Sequence, residues 1–133
     1  MNRMKRNRTS FSMAGFTLIE LLVVMAIIAT LGSIAAPRYF NSLQKTREVA
    51  LHANLKSMRQ AIDQYYQDRG IWPGALEDLV KTNYLREMPL DPVSGESTTW
   101  VPVRLVNSSE SGIRDVRSGA QGQPRDGTRY EDW

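Results

Sequence analysis

The sequence predicts an α+β chain. A long N-terminal α-helix, transmembrane in its first half and amphipathic in its second, packs on a small antiparallel β-sheet with a loop-rich C-terminus. Three observations carry this. Residues 16–36 form an apolar run with one charge, Glu20. Leu51, Leu55, Met58, Ile62 and Tyr65 then recur at helical spacing. Beyond residue 70, short apolar groups alternate with turn residues.

The chain divides into a basic tip (1–15), an apolar helix (16–36), an amphipathic helix (37–70) and a sheet-and-loop region (71–133). The tip holds Arg3, Lys5, Arg6 and Arg8 and no acid, so the formal charge of +3 belongs to it. The remaining 13 basic side chains face 14 acidic ones. That leaves no basic surplus to track a phosphate backbone, and nucleic acid is not an expected partner. There is no cysteine, which excludes disulfides and thiolate chemistry.

At about 1.5 Å per residue, the apolar helix spans about 32 Å, close to the hydrocarbon thickness of a bilayer. Basic residues on its N-terminal flank predict that this end stays cytoplasmic. A secretory signal would be cut after the run, but Pro37 directly after Ala36 makes a poor substrate bond. A carboxylate within a membrane helix costs roughly 2.5–3.5 kcal/mol at mid-span and less near an end, so Glu20 calls for a use. Thr17, Thr30 and Ser33 are the other polar side chains of the run, too few for an ion path. Ala26, Ala29, Ser33 and Ala36 place small residues on one face, which permits close helix approach or reflects common helix composition. Pro37 cannot donate to the carbonyl of Ser33, and with Gly32 it marks an expected kink.

The amphipathic helix should run to Arg69 and stop at Gly70, with Pro73 shortly after. Tyr66 widens its stripe. On its polar faces Glu48 lies between Lys45 and His52, and Arg59 can reach Asp63. A second helix is expected at 75–81, burying Leu76, Leu79 and Val80. The segment TTWVPVRLV reads as a strand with Trp100, Pro102, Arg104 and Val106 on one face, Pro102 suiting an edge. IRDVRS alternates Ile113, Asp115 and Arg117 against Arg114, Val116 and Ser118. The tail is loop, with Trp133 expected to tuck into the core.

The segment GFTLIELLVVMAIIATL resembles the N-terminal motif of the type IV pilins and of the pseudopilins of type II secretion. The resemblance implies a pilin-like fold, cleavage by a prepilin peptidase between Gly15 and Phe16 on the cytoplasmic side, and N-methylation of Phe16. Glu20 holds the place of the family's glutamate, implying a pairing with the new terminal amine of a neighbouring subunit during assembly. Other implied partners are copies of the chain itself, an inner-membrane assembly platform, minor pseudopilins and membrane lipid before assembly. The implied location is single-pass in the inner membrane, with the C-terminal part periplasmic.

More loosely, GIWPGALEDLV, MPLDPVSG and DVRSGAQGQPRDG resemble the major pseudopilins, the G subunits of type II secretion. The absence of a cysteine pair favours them over type IV pilus subunits, major or minor. Such pseudopilins bind calcium in the C-terminal loop. Here Gln121 stands where their motif has aspartate, leaving Asp126, Glu131 and Asp132 as the implied ligands, or as a solvated acidic tail. A membrane-tethered periplasmic enzyme is the alternative of another class. It would need His52, the sole histidine, on a face rich in charged neighbours, and no nucleophile elbow, phosphate loop or zinc spacing accompanies it. Asp91, before a proline, suits a structural turn.

Overall fold

The computed structural model describes residues 15–105 and 111–133. The basic tip up to residue 14 and residues 106–110, Val106 among them, lie outside the described residues. The order is α1 (Leu18–Arg69), α2 (Glu77–Lys81), β1 (Val101–Arg104), β2 (Ile113–Arg117) and a terminal 3-10 turn (Tyr130–Asp132). Two units divide the chain, Met1–Phe40 and Asn41–Trp133.

In the first unit α1 begins two residues later than the periodicity suggested, at Leu18, and its helical assignment passes through Gly32 and Pro37 without a break. Every side chain from residue 15 to residue 40 is exposed. The large apolar ones range from 44% at Val24 to 88% at Leu18. The helix is long and apolar enough to cross a membrane. Its hydroxyls turn inward on their own backbone: Thr30 Oγ1 donates to the Ala26 carbonyl (2.8 Å) and Ser33 Oγ to that of Thr30 (2.7 Å).

In the second unit the helical stripe is the core. Leu51, Leu55, Met58, Ile62 and Tyr65 are all buried, joined by Ala61. They pack with Leu76, Leu79, Leu85, Trp100, Ile113, Val116, Ala120 and Tyr130 in one cluster. Gly70 ends α1 at φ 70°, its N–H donating to the Tyr66 carbonyl (2.8 Å), a left-handed cap that suits glycine. Tyr66 lies only half-buried and stacks on Trp72 at 4.0 Å. The second helix is shorter than expected. Asp78 Oδ2 accepts the Ala75 N–H (2.9 Å), which fastens residue 75 in a turn before the helix begins.

β1 and β2 pair antiparallel, Val101 opposite Arg117 and Val103 opposite Asp115. Strict alternation fails here for a visible reason. The register shifts between Val103 and Arg104, where Arg104 pairs with Ile113 and Arg114 is left over. This β-bulge puts Ile113 and Val116 both into the core although they are three residues apart. Trp100, expected within the strand, precedes it and is buried, its indole N–H donating to the Pro89 carbonyl (2.7 Å).

Arg59 does not pair with Asp63. It reaches β2, its Nε donating to Asp115 Oδ1 (2.7 Å) and its Nη2 to the Val116 carbonyl (3.0 Å). Both charged partners are about 40% exposed, so the ion pair itself contributes at most about 1 kcal/mol. Its geometry ties the sheet to the helix.

Candidate functional site

The N-terminal end of α1 is built from Gly15, Phe16, Thr17 and Glu20, all exposed. Gly15 and Phe16 precede the helix in irregular backbone, where a peptide bond is open to another protein. Thr17 and Glu20 form a reciprocal cap. The Glu20 N–H donates to Thr17 Oγ1 (3.2 Å), and the Thr17 N–H donates to Glu20 Oε2 (3.4 Å). The Thr17 carbonyl accepts the first helical bond from Leu21 (3.2 Å). The spacing T-x-x-E is the sequence signal for this local role of Glu20. These bonds are long, and Glu20 Oε1 stays open to a further donor.

A helix begun in an apolar medium leaves its first N–H groups without water to satisfy them. The Thr17–Glu20 cap meets part of that need. A carboxylate at this point also favours the helix dipole. The same group can accept a strong charged donor, for which an ammonium beside it is suited.

Asp91 and Ser118 are buried polar side chains of the second unit, both 0% exposed. Asp91 Oδ2 accepts the Ser118 hydroxyl (2.7 Å), and Oδ1 accepts the N–H groups of Val93 (2.8 Å) and Ser94 (3.2 Å). This cluster joins the turn at residues 91–96 to the end of β2. These bonds give Asp91 a structural part in the turn. Position before a proline suggested the turn, but no spacing pointed to Ser118.

The three carboxylates implied as calcium ligands are not brought together. Asp126 lies with His52 along one groove, whereas Glu131 and Asp132 line another with Arg117. Asp126 Oδ1 accepts both the N–H (3.0 Å) and the hydroxyl (2.7 Å) of Thr128. Those bonds, led by the hydroxyl's, hold its carboxyl below the usual aspartate range. Glu131 pairs with Arg129. Among the described residues no three metal-ligating side chains converge. Calcium requires six to eight oxygens, several from carboxylates, and this donor set does not fit it.

Comparison with known proteins bears on the N-terminal site first. Residues 11–36 match the prokaryotic N-terminal methylation motif, which covers Gly15, Phe16 and Glu20. The chain is 28% identical to the type II secretion system core protein G of Escherichia coli K12, over 84% of this chain and 83% of that protein. The motif and this likeness support a place in the type IV pilin and pseudopilin superfamily. It is also 39% identical to the fimbrial protein EcpC of Eikenella corrodens, over 44% of this chain and 39% of that protein. With the type IV major pilin protein PilE of Neisseria gonorrhoeae it shares 33% identity over 58% of its length, and half of PilE is covered. The matches to the fimbrial proteins therefore span half their length or less. No solved structure matches.

Proposed function

We propose that this chain is a structural subunit of a periplasmic type II secretion pseudopilus, in which assembly through the N-terminal helix drives protein export. The observation that carries the proposal is the apolar first half of α1, exposed throughout, which bears one carboxylate in its first turn, directly behind Gly15–Phe16. Such a surface needs lipid or other helices to cover it. The near full-length likeness to core protein G supports a pseudopilin. A pilin of a type IV pilus is the second reading, favoured by the higher identity, over about half of the chain, to EcpC and PilE.

In this proposal the precursor sits in the inner membrane with its basic tip cytoplasmic and residues 41–133 periplasmic. A prepilin peptidase cuts after Gly15, and Phe16 is methylated. The new ammonium of one subunit meets Glu20 of its neighbour, a pairing that fixes register more than it adds stability. Copies of the chain, minor pseudopilins and an inner-membrane platform complete the assembly. The chain itself carries out no catalysis.

Intact mass and N-terminal sequencing of the chain from cells with its own peptidase test this reading. The expected product begins at methylated Phe16. A working subunit that still begins at Met1 would overturn it. Glu20→Gln keeps a side-chain acceptor for the Thr17 N–H but removes the charge. It should be processed and inserted normally yet fail to form filaments.

A further inference from the structure

We infer that the C-terminal loop, 119–133, is closed by an aromatic latch on α1 and takes no divalent cation. The family resemblance brings calcium to this loop, but its carboxylates are separated, and Asp126 and Glu131 already have partners. What closes the loop is visible instead. Trp133 stacks on His52 of α1, ring centroids 3.9 Å apart and planes 18° from parallel. Its indole N–H donates to Thr128 Oγ1 (2.8 Å), and that hydroxyl donates in turn to Asp126 Oδ1 (2.7 Å). The hydroxyl thus uses its one donor and one of its two acceptor positions.

Tyr130 forms the second half of the latch. It is 5% exposed, meets Trp133 edge-on at 5.4 Å, and its hydroxyl donates to Glu48 Oε1 of α1 (3.1 Å). Its backbone N–H donates to the Gly122 carbonyl, which returns the loop on itself. Beside Asp126 the groove is lined by Lys45, Glu48, His52 and Arg125, and Glu48 already accepts the Tyr130 hydroxyl. Its two basic side chains offset the charge of its two carboxylates. The loop end that a metal would otherwise gather is held by two aromatic rings and a hydroxyl relay. This inference rests on the second unit alone and does not depend on processing at Gly15 or on filament formation.

The test is limited proteolysis of the full chain in detergent micelles, with trypsin cutting after Arg125 and Arg129, in calcium chloride and in EGTA. Equal cleavage rates and equal melting temperatures are expected in the two conditions. Trp133→Ala and His52→Ala should each speed cleavage several-fold, on the order of tenfold at most. The double variant should be little faster than Trp133→Ala alone, because that change already removes the stack through which His52 acts. Trp133→Phe, which keeps a ring, should lie between. Protection or a raised melting temperature on adding calcium to the unmodified chain would overturn the inference. So would unchanged cleavage in both alanine variants.

Discussion

Replacing Asp91 by alanine removes one acceptor from three donors at once, and the burial of each donor sets the cost. The Ser118 hydroxyl has no access to water, so its loss of a partner costs about 1–3 kcal/mol. The Val93 N–H is partly buried and adds about 1 kcal/mol. The Ser94 N–H lies at an exposed residue and regains water, at little cost. Backbone bonds from Gly95 to Asp91 (2.8 Å) and from Asp91 to Glu96 (2.9 Å) survive, so the turn itself need not open. The sum is on the order of 2–4 kcal/mol, a large share of the stability of a small unit. For a unit of this size, that lowers the melting temperature by roughly 10–30 °C. Near-ultraviolet circular dichroism of the full chain in detergent would follow it through Trp72, Trp100 and Trp133. Asp91→Asn keeps an oxygen for the two N–H groups and should lose about 1 kcal/mol. If Asp91→Ala melts with the unmodified chain, or if Asn and Ala lose equally, the buried-acceptor reasoning is wrong.

Gly119→Ala would set a Cβ about 2.0 Å from the Thr99 carbonyl oxygen. Backbone must move, and a loss of about 1–3 kcal/mol is expected in thermal unfolding. Ile62→Ala opens a cavity at a 0% exposed position and should cost about 2–5 kcal/mol. Burial, and then the Glu48 carboxylate, push the Tyr130 hydroxyl above the usual tyrosine value. A raised folded-state value gives stability that is full below about pH 10 and lost as pH rises through it. The melting temperature should therefore fall on that alkaline limb, and Tyr130→Phe should flatten it.

How much of this was legible in the sequence depends on the range of the contact. The stripe from Leu51 to Tyr65 was readable because helix geometry alone places those residues on one face, and any core must take that face. Gly70 as a stop was readable for the same local reason. The sheet was legible as two strands but not in its facing, because the bulge at Arg114 arises from pairing between residues far apart in the chain. Arg59 illustrates the limit. Its near neighbour Asp63 is visible by counting, whereas Asp115, 56 residues away, becomes a partner only when β2 lies across the helix. Tyr130 with Glu48, 82 residues apart, escaped notice for the same reason.

Glu20 shows why even a legible residue needs the structure. Its position marked it as a charge awaiting a partner, and the helix supplies a first one at once in the Thr17 N–H. That bond, at 3.4 Å and to a neutral donor, is far weaker than a charged pair. A neighbouring ammonium can therefore displace it at small cost, while an isolated helix retains a capped start. The two uses need not compete: a carboxylate has several acceptor positions, and the cap occupies only one oxygen. In the proposed assembly, the same side chain holds the helix start beforehand and then meets the incoming subunit. A residue that served only to cap would not need a charge, and one that served only to pair would not need a threonine three residues before it.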